Sequence, residues 1–211
     1  MKFHELAEIV SDEPLFETGL LLAGAVDPAD LHRQLSRWTR TGRIQQLRRG
    51  LYVLAPPWRK QTPHPFLVAN RLAPGSYVSG LSALAFAHVI PEHVAEVTSV
   101  TTGRPHIRCT PVGRFSFRHV KPGLLFGCRH VDLGPGQHAF VAAPEKALLD
   151  LVHLHPGGDD EAYLRELRLD FDALQLDVLG AFAETGAMPK LARAAERIRR
   201  LAREAPEYES L

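Results

Sequence analysis

The chain has 211 residues, of which 45% are hydrophobic and 23% charged, and its formal net charge is only +1. That is enough chain for one large or two small globular domains with a packed core, and the most apolar run, residues 20–26, is far too short to span a bilayer, so no membrane partner is predicted. Two cysteines, Cys109 and Cys128, make no disulfide framework, and MKFHELAEIV lacks the layout of a signal peptide, which together predict a cytoplasmic protein with buried free thiols.

Phe3, Leu6, Ala7 and Val10 share one face and predict a first helix over residues 3–10, closed by Ser11-Asp12-Glu13-Pro14. Residues 15–17 read as a short strand or a connector. Thr18 is placed to cap a second helix reaching residue 26, although Gly19 and Gly24 weaken it. The next stretch, DPADLHRQLSRWTRTGRIQQLRRGLYVL from Asp27 to Leu54, carries most of the functional information. Asp27 suits an N-cap, Pro28 the first helical position and Asp30 the first turn, so a helix starts here. Leu31, Leu35 and Trp38 form an apolar stripe, while Arg33, Arg37 and Arg40 repeat the same spacing on the other side. Gly42 is placed to end the helix, and the period then changes to that of a hairpin over residues 44–54 with arginines at its tip.

A basic amphipathic helix followed at once by a basic hairpin is the pattern of the recognition helix and wing of a winged helix-turn-helix. The helix would enter the major groove, with arginines on guanine and Gln34 or Ser36 on base edges, and the hairpin would grip the backbone or minor groove. The DNA-binding residues on this reading are Arg33, Gln34, Ser36, Arg37, Arg40, Arg43, Arg48 and Arg49. The competing reading is a solvated helix face beside an ordinary hairpin.

Charge is segregated along the chain. Residues 1–30 hold one basic and seven acidic side chains, residues 31–131 fifteen basic and two acidic, and residues 132–211 nine basic and fifteen acidic. A cationic middle of this kind suits a polyanion, because each neutralised phosphate releases counterions. Acidic ends folded over the basic middle would cancel it.

Prolines at 56, 57, 63 and 65 place a boundary after the first unit, giving a winged helix-turn-helix over residues 1–58 and an α+β domain over residues 63–211. In the second unit, residues 66–72 and 81–89 read as helices joined by a short extended piece. Strands are predicted at 97–102, 106–112, 115–120, 125–131 and 139–141, and helices at 145–153, 162–168, 172–184 and 189–204. The last helix is amphipathic and basic on one side.

No motif anchors a catalytic or cofactor site. Glu145-Lys146 lacks the residue that separates acid from lysine in a PD-(D/E)xK nuclease. The run from His88 to His93 misses the H-x-x-E-H zinc spacing and contains Pro91. His153, His155, Asp159 and Asp160 around Pro156-Gly157-Gly158 mix ligand types on a loop. Phosphate-loop, dinucleotide and nucleophile-elbow signatures are absent from the sequence. No cofactor, metal or enzymatic activity is predicted.

LRRGLYVLAPP near residue 50, YVSGLSALAFAHVI, EVTSVTT and FVAAPEKALLDLV at residues 140–152 together resemble the AbiEi family of antitoxins, from bacterial AbiE-type (type IV) toxin-antitoxin and phage-defence pairs. The resemblance runs in order over nearly the whole chain. It implies a winged helix-turn-helix repressor that binds inverted repeats of double-stranded DNA in its own promoter, and two-fold repeats leave a homodimer on the DNA as one arrangement to expect. It also implies an antitoxin domain that neutralises a nucleotidyltransferase-like toxin. Within FVAAPEKALLDLV, Phe140, Ala147, Leu148, Leu151 and Val152 are expected to bury one face, with Glu145, Lys146 and Asp150 near the helix start, chiefly as a strand-to-helix link. An alternative is a protein-binding module that captures the toxin with little role on DNA, supported by the acidic balance after Asp132.

Overall fold

The computed structural model describes residues 1–22, 27–92 and 94–205. The first elements are α1 (Phe3–Ile9), β1 (Phe16–Glu17), α2 (Thr18–Leu22), α3 (Pro28–Arg40), β2 (Ile44–Arg48) and β3 (Leu51–Leu54). The predicted second helix is seen to Leu22, and its extension over residues 23–26 lies outside the described residues. The three strands form an antiparallel sheet in the order β1-β3-β2.

α3 is built as its sequence requires. The Asp27 carboxylate accepts from Asp30 N at 2.8 Å, and Pro28 opens the first turn. At the other end Gly42 takes φ +71°, Gly42 N donates to Thr39 O and Arg43 N to Trp38 O, the paired bonds of a Schellman stop. Leu31, Leu35 and Trp38 are buried together with Leu6, Val10, Phe16, Ile44, Tyr52 and Leu54. The hairpin turns at Arg49-Gly50, where Gly50 takes φ +80°, and β2 bulges between Gln46 and Arg48.

All four residues of β3 are buried, because successive side chains of a strand point to opposite faces and both faces are covered. Tyr52 and Leu54 join the first core, whereas Leu51 and Val53, with Leu47 of β2, join a larger one that runs through the rest of the chain.

The rest of the chain comprises α4 (Pro65–Leu72), β4 (Tyr77–Val78), α5 (Gly80–Phe86), β5 (Val97–Thr101), β6 (His106–Thr110), β7 (Gly113–His119), β8 (Cys128–Asp132), β9 (His138–Ala142), α6 (Pro144–Leu154), α7 (Glu161–Glu166), α8 (Leu176–Gly186) and α9 (Pro189–Glu204). Its six strands run in the order β6-β7-β5-β4-β9-β8, with β4 parallel to β9, β5 parallel to β7 and the other pairs antiparallel. The architecture is therefore mixed α+β.

Three expectations are corrected. The strand predicted at 125–131 begins only at Cys128, because residues 122–124 form a 3₁₀ turn and Gly127 takes φ +72°. Cys109 and Cys128 are exposed rather than buried, since they lie on β6 and β8, the two edge strands. Phe140 is 52% exposed: the alternation that buries Ala139 and Val141 turns it to the opposite face.

Candidate nucleic-acid interface

At 100° per residue, Arg33, Ser36, Arg37 and Arg40 fall on the side of α3 opposite its buried stripe, and all four are exposed. Arg33 forms an ion pair with Asp30 one turn earlier on the same helix. Among the described residues Arg37 and Arg40 make no ion pair, so their guanidinium groups remain available. Gln34 sits at the edge of the stripe, half-buried, and its Oε1 is buried without a hydrogen-bond partner among the described residues. That oxygen faces the protein, not solvent. Arg43, just past the helix, is exposed and holds its guanidinium carbon 5.0 Å from the centroid of the Phe3 ring, a cation–π contact.

The hairpin tip is less open. Arg48 is half-buried: Nη2 donates to Glu17 Oε1 at 3.2 Å, Nε to Arg71 O at 3.0 Å and Nη1 to Arg49 O at 3.0 Å. Thr18 N donates to Gly50 O at 2.9 Å, which draws the turn against the start of α2. Arg49 is exposed and makes no ion pair among the described residues. Arg48 thus ties the hairpin to β1 and α4, while Arg49 faces outward.

Cancellation of the basic middle by the acidic ends is slight among the described residues. From residues 1–30, Glu17 reaches Arg48, Asp12 reaches Lys60 at 3.4 Å, and Asp30 stays on its own helix with Arg33. The basic side of α9 is instead consumed locally. Arg193 and Arg197 hold Asp159, and Arg200, with Arg165 of α7, meets Glu161 and Glu204.

The charged residues of the PEKALLD segment are buried, which sequence reasoning missed. Lys146 and Asp150, each 2% exposed, form an ion pair one turn apart on α6. Asp150 Oδ2 also accepts from Ser79 Oγ at 2.7 Å and Tyr77 Oη at 3.1 Å, and the Lys146 ammonium lies 4.9 Å from the Phe126 ring centroid. Glu145 Oε1 accepts from Gln175 N at 2.8 Å. Burial pushes the Asp150 carboxyl up, against the pull of Lys146 and the two hydroxyls, and burial beside Asp150 pushes the Tyr77 phenol up as well. The cluster ties α6 to β4 and the start of α5. Little in the sequence signals this: Lys146, Asp150 and His153 share one side of α6 at i, i+4 and i+7, as the polar face of a surface helix would.

The loop histidines and aspartates do not converge. Asp159 is held by Arg193 and Arg197; burial raises its carboxyl, but those hydrogen bonds and charges carry it below the usual carboxylate range. His153 Nδ1 is buried without a partner among the described residues. His155 stacks on Tyr163 at 4.1 Å. Among the described residues no three His, Cys, Asp or Glu side chains are grouped to hold a metal, and His93 of the H-x-x-E-H comparison lies outside them. No helix among the described residues is long and apolar enough to cross a membrane. No protein-family model matches the chain, and no curated protein matches it.

Proposed function

We propose that the chain is a DNA-binding antitoxin that represses its own operon and neutralises a nucleotidyltransferase-like toxin. The N-terminal unit is read as a winged helix-turn-helix, supported by the element order α1-β1-α2-α3-β2-β3 and the antiparallel order β1-β3-β2. The observation that carries the reading is the outward row of Arg33, Ser36, Arg37 and Arg40, backed by a fully buried Leu31-Leu35-Trp38 stripe that holds the helix in place. On DNA, Arg37 and Arg40 take guanine edges or phosphates and Ser36 reaches a base or phosphate. Arg49 contacts the backbone beside the groove. Gln34 and Arg48 are supports: one lies against the core, the other fixes the hairpin. Two copies bind inverted half-sites spaced by whole helical turns. The reading involves no catalytic step, cofactor or metal.

The experiment is binding of the full chain to its own upstream DNA across a salt series. Each neutralised phosphate contributes about 0.9 to the slope of log K against log salt, so three or four arginine contacts per protomer predict a slope of about −3 to −4 per protomer. A slope near zero would overturn the DNA reading. The toxin arm is tested by co-purification with the product of the neighbouring gene; a toxin neutralised without a lasting complex would count against direct capture.

The internal use of Arg48 favours a second reading in one respect, since it leaves Arg49 as the arginine of the tip that is free to meet phosphate. On that reading the chain is a toxin-capturing module with little role on DNA, and the salt series separates the two.

A further inference from the structure

A cavity of about 640 Å³ opens between the chain entering β1 and the β8–β9 edge of the larger sheet, within the range that holds a small organic ligand. No residue of the outward face of α3 lines it. Its lining carries the rings of His130, His138 and Phe140. His130 lies opposite Phe140 across the β8–β9 ladder with ring centroids 5.3 Å apart and planes tilted by 58°, and His130 stacks on His138 at 4.8 Å and 22°. Phe140 is 52% exposed at this surface. Its backbone is held from α4, where Asn70 accepts from Phe140 N at 2.6 Å and donates to Phe140 O at 3.4 Å, as a neighbouring strand would.

Arg71 lines the same cavity and is exposed. Its carbonyl is used by Arg48, but its guanidinium makes no ion pair among the described residues. Glu13 adds one carboxylate to the lining. The turns at Gly75 and Gly136 take φ +81° and +67°, and a Cβ at either would meet nothing within 4 Å, so the lining is open there.

From this arrangement we propose that the cavity binds a nucleotide, with the base stacked on the exposed Phe140 ring and the phosphate on Arg71. Stacking on an aromatic side chain accepts any base, since every base has a π-face. The planar guanidinium matches a phosphate with two parallel hydrogen bonds. A purely apolar ligand would leave Arg71 unused, and a simple anion would leave the rings unused; a nucleotide uses both. Glu13 is an acceptor for ribose hydroxyls or an exocyclic amine.

The test is calorimetric titration of the full chain with adenosine monophosphate, adenosine, inorganic phosphate and a 5′-phosphorylated single-stranded tetranucleotide. Adenosine monophosphate is expected to bind saturably and more tightly than adenosine or phosphate. Phe140→Ala should weaken both adenosine and its monophosphate about ten-fold or more. Arg71→Ala should reduce the monophosphate to the level of adenosine and leave adenosine unchanged. Tighter binding of the tetranucleotide through the same two residues supports the same chemistry and assigns the site to a strand end rather than a free nucleotide. In the wild-type protein, ring-current shifts of the His130 and His138 imidazole protons on titration give a readout that needs no variant. Absence of saturable binding by either nucleotide ligand, indifference to Phe140→Ala, or inorganic phosphate binding as well as the monophosphate would overturn the proposal.

Discussion

Replacing Lys146 with methionine removes the ammonium from a site that is 2% exposed while keeping an unbranched stem of similar length against Tyr77, Phe126 and Gly127. The Asp150 carboxylate is then left buried with the hydroxyls of Ser79 and Tyr77 as its hydrogen-bond donors. Breaking a buried pair in this way costs about 3 to 5 kcal/mol, a large part of the roughly 5 to 15 kcal/mol that holds a domain folded. With a urea m-value of about 2 kcal/mol/M, the midpoint of unfolding should fall by about 2 M. The pH dependence follows from burial. Without Lys146 the folded-state pKa of Asp150 lies above its unfolded value, so the neutral acid is favoured in the fold. Its stabilising contribution is whole below the unfolded carboxylate value, about 3.9, and is lost as pH rises through the folded one. The deficit of the variant relative to wild type should therefore shrink on acidification. Adding Asp150→Asn, which removes the uncompensated charge and keeps an acceptor for both hydroxyls, should recover part of the loss, so that the double variant is less damaged than the two single losses added together. Urea titrations followed by circular dichroism at pH 7 and pH 5 measure all of this. A single variant within 1 kcal/mol of wild type at pH 7, or a deficit independent of pH, would refute the reasoning.

Other outcomes can be checked on the same protein. His64 caps α4 by accepting from Phe66 N through Nδ1 at 3.1 Å, and burial holds its pKa below the ordinary value. Its contribution is therefore whole above about pH 6.5 and is lost as pH falls through the folded value, so His64→Asn, which caps without titrating, should flatten the loss of stability between pH 7.5 and 5.5. His153, lowered by burial in the same direction, is present in both proteins and cancels from the comparison. Asp27→Ala removes the acceptor for Asp30 N and should cost about 1 kcal/mol in thermal or urea unfolding, whereas Asp27→Asn should be nearly neutral. Both thiols are exposed, but burial of part of the Cys128 side chain raises its pKa, so iodoacetamide at pH 8 should alkylate Cys109 first in the native state and both at similar rates in urea.

α3 and the hairpin after it are legible in the sequence because everything that defines them is local: the Asp27 cap, the three-and-four spacing of Leu31, Leu35 and Trp38, and the Gly42 stop. The larger sheet is not, because its order depends on pairings between strands far apart in the chain, and β4 has only the two residues Tyr77 and Val78. The same distance hides the role of Arg48, whose partners Glu17 and Arg71 lie 31 and 23 residues away. Lys146 and Asp150 read as surface charges because a single sequence does not reveal that Tyr77, Ser79 and Phe126 will enclose them. Hydrophobicity alone assigns Phe140 to the core, although strand alternation places it on the opposite face from Ala139 and Val141.

The DNA-binding account turns on whether the outward side of α3 meets DNA, and the most direct test compares Arg37→Ala with Arg203→Ala. Each change removes one positive charge from an exposed arginine that makes no ion pair among the described residues, the first on α3 and the second near the end of α9. Binding to the upstream DNA is followed by fluorescence anisotropy across a salt series. The account predicts that Arg37→Ala weakens binding by about 1 to 3 kcal/mol if the arginine meets a base, or lowers the salt slope by about 1 if it meets a phosphate, while Arg203→Ala leaves both unchanged. Equal effects of the two substitutions, or none from Arg37→Ala, would contradict it.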